Sequence, residues 1–175
     1  RDSLEVGHRE IVLTGTEIGE WGREWGKTLF DLLKEVERLP YEFRVRISSI
    51  LPNYLTLDLV SLWKGNPARF ASHFHVPLQS GSPKVLREMR RPYTLDAFRK
   101  SIDLLIRALP DVSLGTDLIA GFPTETDEDF EKTIRVIEEV PFAYLHVFEY
   151  SRRPGTQAAS FPLLPHKVVK ERVRT

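Results

Sequence analysis

Apolar and polar residues follow two periods along this chain. Runs with a period of two read as strands at residues 10–14 (EIVLT), 43–49 (FRVRISS), 72–78 (SHFHVPL), 112–120 and 144–150 (YLHVFEY). Between them apolar residues recur every three or four positions, the mark of a helix with one buried side. Leu29, Leu32, Leu33 and Val36 do so in residues 28–39, and Leu57, Val60 and Leu62 in residues 56–64. Phe98, Ile102, Leu105 and Ile106 do so in residues 95–109, and Phe130, Ile134 and Ile137 in residues 128–140. Residues 83–90 read as a short helix with Pro83 in its first turn. A basic helix closes the chain at residues 166–174. Thr28, Thr94 and Thr126 are placed to cap helices, and Asp129 stands three residues beyond Thr126. Pro40 and the Gly65-Asn66-Pro67 run mark stops. The first residues read as a helix end and a turn around Gly7. The order β-α-β-α-β-α-α-β-α-β-α predicts a parallel sheet with helices outside it, the strands running in sequential order.

Strand residues two apart share a face, so each strand can be divided. Ile11 and Leu13, Val45 and Ile47, Phe74, Val76 and Leu78, and Leu145 and Val147 form apolar faces for the helices. Opposite them stand Thr14, Arg46, Ser48, His73, His75, Gln79, Asp117, His146, Phe148 and Tyr150. A closed structural barrel fills its interior with Val, Ile and Leu, so this polarity points to a ligand or cofactor inside. Residues 116–130 (TDLIAGFPTETDEDF) hold a strand end, a tight turn with Gly121 and Pro123, and a helix start. Ligand sites in parallel α/β folds lie at the carboxyl ends of strands, where Asp117 and the 121–125 loop sit.

Composition narrows the chemistry. The 25 Lys+Arg and 25 Asp+Glu residues cancel, so no global field draws in nucleic acid or membrane. A length of 175 residues suggests one domain with a real core. No apolar run spans a bilayer and no N-terminal signal is visible, so a cytoplasmic location is expected. The absence of cysteine excludes disulfides, thiolate catalysis and a cysteine-bound cluster within the chain. His73-x-His75 puts two imidazoles on one strand face, but no third ligand accompanies them, and they are taken as hydrogen-bonded interior histidines. The loop Gln79-Ser80-Gly81-Ser82-Pro83 enters a helix, where it would hold an anion or a ribose or act as an ordinary cap. Arg87, Arg90 and Arg91 near Tyr93, with Arg152 and Arg153 near Tyr150, suit RNA or a solvated face. Trp21 and Trp25, in a glycine-rich loop, are expected to pack over the strand ends rather than stack on a base.

Six blocks, in order, resemble the methylthiotransferase family of radical S-adenosylmethionine enzymes. They are EIVLTG, RISS, HFHVPLQSGS, MRRPYT, TDLIAGFPTET and HVFEYSRRPGTQAA, and together they span nearly the whole chain. RISS and HVFEYS look most like the branch acting on threonylcarbamoyladenosine in tRNA. The resemblance implies an α/β fold, a parallel βα partial barrel lacking its first βα unit. It also implies S-adenosylmethionine as cofactor, 4Fe-4S clusters in a longer parent protein, and methylthiolation at C2 of the adenosine next to the anticodon. The tRNA anticodon stem-loop is the implied partner, and the sulfur donor stays open. Thr14 and Gly15 match the segment near the methionine amino group. Ser48 and Ser49 match the third-strand contact region, and Gln79 and Ser80 the ribose-facing strand end. Gly121, Phe122 and Glu125 match the adenine-side loop, and Asp117 and Arg91 match site-lining positions. His75, Phe148 and Tyr150 are taken as lining the substrate side.

The sequence departs from the family in places. The cysteine motif that holds the cluster is missing, and Leu51, Thr124 and Glu149 stand where an acidic residue, glycine and proline are usual. Residues 1–164 are therefore expected to form a partial barrel core, inactive alone. Residues 165–175 are expected to form a helix leading to an RNA-binding domain outside this sequence. The alternatives are a non-catalytic βα domain that binds a nucleotide or tRNA, and another methylthiotransferase branch. A Schiff-base aldolase barrel would need an inward strand lysine, and the strands offer none.

Overall fold

Two of the helices begin where a threonine precedes an aspartate by three residues. Thr28 and Thr126 each accept the backbone N–H of the aspartate three residues on, and that aspartate accepts the threonine's own N–H. These reciprocal bonds satisfy donors that a helix start otherwise leaves unpaired. The computed structural model describes residues 1–175. Its elements in order are α1 (Asp2–Glu5), β1 (Glu10–Leu13), α2 (Leu29–Glu37), β2 (Arg44–Ile47), α3 (Leu57–Gly65), β3 (His73–His75), α4 (Pro83–Glu88), α5 (Leu95–Ala108), β4 (Ser113–Ala120), α6 (Asp127–Glu139), β5 (Tyr144–Glu149) and α7 (His166–Arg174). This is the predicted βα alternation, with each regular element on its predicted segment. β3 is shorter than expected, because Pro77 lacks an N–H and the chain turns at Gln79, where φ is +65°. Short 3₁₀ turns occupy Ile18–Glu20, Arg23–Trp25, Pro52–Tyr54 and Gln157–Ser160.

β1 pairs in parallel with β2, from Glu10 opposite Arg44 to Leu13 opposite Ile47. β4 pairs in parallel with β5, from Gly115 opposite Tyr144 to Ala120 opposite Glu149. Parallel bridges join Val45 to Phe70 and Gln79 to Leu118. The strands form open sheets with no closed barrel.

The chain divides into two compact units. The first comprises Arg1–Val76 and Lys100–Leu114. Its core holds Val45 and Ile47 of β2, with Trp63, Phe70 and Phe74 in ring contact at 4.8 and 4.9 Å. Trp63 Nε1 donates to the Ala71 carbonyl at 2.9 Å, so the indole is buried without losing its hydrogen bond. Arg69 lies 3.9 Å over the Phe43 ring and donates to the carbonyls of Leu39, Tyr41 and Phe43, which secures the α2–β2 connection. Trp21 and Trp25 do not pack down as expected. They meet edge-on at 6.0 Å, and Trp25 is 70% exposed. The left-handed glycines at 22 and 26 hold their loop open.

The second unit comprises Pro77–Arg99 and Gly115–Thr175. Its center is Asp129, 3% exposed. Asp129 accepts from Ser82 Oγ at 2.7 Å, from Lys84 Nζ at 2.9 Å, and from the Thr126 N–H and hydroxyl at 3.1 and 2.9 Å. The starts of α4 and α6 therefore share one carboxylate. Gly81 makes that approach possible: a Cβ there would stand 2.6 Å from the Lys132 carbonyl oxygen and the Thr133 Cα. Burial pushes the Asp129 carboxyl up, but the bonds from Ser82, Lys84 and Thr126 outweigh it and hold it well below the ordinary aspartate value. A depressed carboxyl contributes stability above its unfolded pKa, about 3.9, and that contribution fades as the pH falls through the lower folded value. Asp129→Asn is therefore expected to cost about 1.5–3 kcal/mol near neutrality. Its deficit against wild type should shrink below about pH 4 in urea melts across pH.

Candidate functional site

In the second unit, the carboxyl ends of β4 and β5 face a cavity of about 640 Å³. Asp117 and Ile119 come from β4, and Phe148, Glu149 and Tyr150 from the end of β5. The Gln79 turn, Glu88–Arg91 after α4, Phe122, and the 153–158 loop complete the wall. The ladder fixes these positions. Gln79 donates its N–H to the Asp117 carbonyl at 2.8 Å and accepts from Ile119 N–H at 2.9 Å, while Tyr150 N–H reaches the Ala120 carbonyl at 2.9 Å.

Two wall residues other than glycine adopt left-handed backbone, Gln79 at φ +65° and Arg90 at φ +55°. Such a conformation costs roughly 1–2 kcal/mol in a residue with a Cβ, and it tends to gather at working sites. Arg90 also donates to Gln157 Oε1 at 2.7 Å, which ties the 153–158 loop to the α4 side. Phe122 and Tyr150 meet edge-to-face at 5.4 Å, an arrangement that leaves an aromatic wall. Asp117 Oδ1 lies 3.3 Å from His146 Nδ1.

Arg91 Nε, Tyr93 Oη and Tyr150 Oη are buried without a hydrogen-bond partner on the protein. Buried polar atoms are nearly always bonded, so the two that belong to cavity-lining residues, on Arg91 and Tyr150, suit the hydroxyls or carboxylate of a ligand. Burial pushes the Tyr93 phenol up to about 12, so it stays protonated as a donor; Arg91 pulls it down and Asp117 pushes it up.

Of the residues singled out from sequence, Gln79, Arg91, Asp117, Phe122, Phe148 and Tyr150 share this one cavity. Three others stand behind it. Ser80 is fully buried with its hydroxyl 3.4 Å from that of Thr133. Gly121, at φ +79°, donates its N–H to Glu125 Oε2 at 2.9 Å. Glu125 is 2% exposed and pairs with Arg172. Thr14, Gly15, Ser48, Ser49 and His75 belong to the first unit. There Thr14 and Gly15 are exposed just past β1, and Ser48 N–H donates to the Leu13 carbonyl at 3.0 Å. His75 is buried and its carbonyl accepts from Ile50 N–H at 3.0 Å. Glu88, Arg90 and Gln157 were not singled out as site residues. Glu88 and Gln157 carry no periodic signal, and Arg90 stands out in the sequence only as part of a basic run.

Residues 3–137 match the family model for the radical SAM superfamily. The chain belongs to the radical SAM superfamily. It is 42% identical over 168 residues to the threonylcarbamoyladenosine tRNA methylthiotransferase MtaB of Thermotoga maritima, covering 95% of this chain and 38% of that protein. It is 41% identical over 175 residues to the tRNA-2-methylthio-N(6)-dimethylallyladenosine synthase of Thermobifida fusca, covering 98% of this chain and 35% of that protein. A human threonylcarbamoyladenosine tRNA methylthiotransferase is 37% identical, over 99% of this chain and 30% of its own length. The chain thus spans between 30% and 42% of the length of these curated relatives. Among solved structures, coproporphyrinogen III oxidase (HemN) of Escherichia coli, a radical SAM enzyme, superposes with a TM-score of 0.70 at 20% identity, over 94% of this chain and 38% of that one. The radical S-adenosylmethionine methyltransferase TsrM of Kitasatospora setae also superposes at 0.70, with 14% identity, over 90% of this chain and 31% of that one. These two likenesses concern the fold.

Strain at Gln79 bears on both stability and the cavity wall. Gln79→Gly should stabilize the chain by up to about 1 kcal/mol, because glycine adopts φ +65° freely. The same change should weaken binding of any ligand that contacts this wall, since a wall side chain is lost. Thermal denaturation and a ligand titration read the two effects separately.

Proposed function

We propose that this chain is the S-adenosylmethionine-binding core of a cytoplasmic tRNA methylthiotransferase acting on threonylcarbamoyladenosine. The observation that carries the reading is the cavity at the ends of β4 and β5, where Arg91 Nε and Tyr150 Oη lie buried beside an aromatic wall with no protein partner. Six of the residues singled out from the sequence, four of them through the family resemblance, lie together there. The identity to methylthiotransferases across nearly the whole chain supports the same reading.

S-adenosylmethionine, when bound, supplies the methyl group and the radical equivalent of this family's chemistry. The chain's own residues hold and shield it. Phe122 and Tyr150 offer an apolar wall for a base, Gln79 and Asp117 offer polar atoms at the strand ends, and Arg91 offers a cation for a carboxylate. A 4Fe-4S cluster does not fit the residues present, because these 175 residues include no cysteine. In this reading the cluster's thiolates come from outside this sequence, and the chain alone is inert.

The contacts available are a few hydrogen bonds, each worth about 0.5–1.5 kcal/mol net, set against an association cost of about 4 kcal/mol or more. S-adenosylmethionine should therefore bind this chain at about the millimolar level.

A second branch is favored by one observation: identity to a dimethylallyladenosine synthase, at 41%, nearly equals that to MtaB. Nucleoside mass spectrometry of bulk tRNA after deletion of the gene separates the readings. Loss of 2-methylthio-threonylcarbamoyladenosine is expected. Loss of the dimethylallyl counterpart would move the chain to the other branch, and intact levels of both would overturn the proposal.

A further inference from the structure

Resting on the reading of the cavity as a nucleoside site, we propose that Arg172, on the terminal helix α7, is a positioning residue that holds the 121–125 turn in its ligand-receiving shape. Arg172 is 7% exposed, unusual for an arginine on a helix next to the chain end. Its Nη1 donates to Glu125 Oε2 at 2.7 Å and to the Glu125 carbonyl at 3.0 Å, and its Nη2 reaches Asp127 Oδ1 at 2.6 Å. The guanidinium also lies 5.3 Å from the Phe130 ring center. One side chain thus binds the end of the turn and the first residue of α6.

Glu125 passes this restraint on. Its Oε2 accepts both Arg172 Nη1 and the backbone N–H of Gly121. Gly121 is left-handed at φ +79°, and a Cβ there would lie 2.7 Å from Val169 Cγ2 of α7. The turn is therefore held on both sides by the same helix, through Arg172 at one end and Val169 at the other. Phe122, the next residue, forms part of the cavity wall against Tyr150. Arg172 touches no cavity atom itself, so its effect on a ligand must run through the Glu125–Gly121 bond. The planar five-donor fork explains why arginine suits the place: it serves a carboxylate, a carbonyl and a second carboxylate from one rigid group.

NMR on the 175-residue chain tests this with two readouts. Amide hydrogen exchange reads the Gly121 N–H, and titration with S-adenosylmethionine reads the cavity. In Arg172→Met, Gly121 should exchange at least tenfold faster while Thr116 and Leu118 of β4 keep their protection, and binding should weaken about tenfold. Arg172→Lys should recover only part of either effect, because a single ammonium cannot serve all three acceptors at once. Val173→Ala on the same helix lowers stability without touching the turn and should move neither readout. Arg172→Met leaves Glu125 buried without its cation. The paired variant Glu125→Gln/Arg172→Met removes both charges and keeps an amide-oxygen acceptor for Gly121, and it serves if the single variant unfolds. Faster Gly121 exchange and weaker binding in that variant support the proposal. Wild-type exchange and affinity in any folded Arg172→Met background overturn it. If the wild-type chain shows no binding, the nucleoside reading fails, and the exchange arm still decides whether Arg172 holds the turn.

Discussion

The second unit depends on one buried carboxylate. Asp129 is the third residue of α6, where a capping acid belongs, yet it is shared with the cap of α4 and with Lys84. A charge removed from water must be offset by bonds from every side, and Asp129 collects them from three residues at the starts of two helices. Two loops are thereby set: the 79–83 turn enters α4 through Ser82, and the 121–126 turn enters α6 through Thr126. Both carry side chains of the cavity wall, Gln79 on one and Phe122 on the other. The restraint is close enough that only glycine fits at position 81.

Against that rigid base the wall itself is strained. Gln79 and Arg90 adopt backbone conformations that an ordinary residue avoids, and Tyr150 and Arg91 bury polar atoms with no protein partner. Each feature costs stability on its own, and together they describe a surface shaped for something other than the protein. The buried ion pair of Arg172 and Glu125 holds the turn from the opposite side, so the wall is braced by helices at both ends.

Much of the fold could be read from the residues. Alternating and helical periods located the regular elements, most clearly where α2, α3 and α5 bury an apolar stripe and β2 and β4 an apolar face. Thr126 and Asp129 marked the start of α6 from their spacing alone. Less of the site was legible. Asp117, Gln79 and Tyr150 stood out as polar residues at strand ends, and the cavity gathers them. Ser80, Gly121 and Glu125 were singled out by motif, but they act behind the wall, on Thr133, Val169 and Arg172. Those partners lie dozens of residues away, and no local pattern in a single sequence pairs an arginine in a basic helix with a glutamate in a turn. β5 also departs from simple alternation. Val147 and Phe148, on opposite faces, are both substantially exposed, so neither face is buried as the period of two implies.

A crystal structure of the chain grown with S-adenosylmethionine tests the central claim most directly. The account predicts the adenosine portion inside the β4–β5 cavity, against Phe122 and Tyr150, with Tyr150 Oη or Arg91 Nε within hydrogen-bonding distance of the ligand. Ligand bound elsewhere on the chain, with those two atoms still unpartnered, would contradict it.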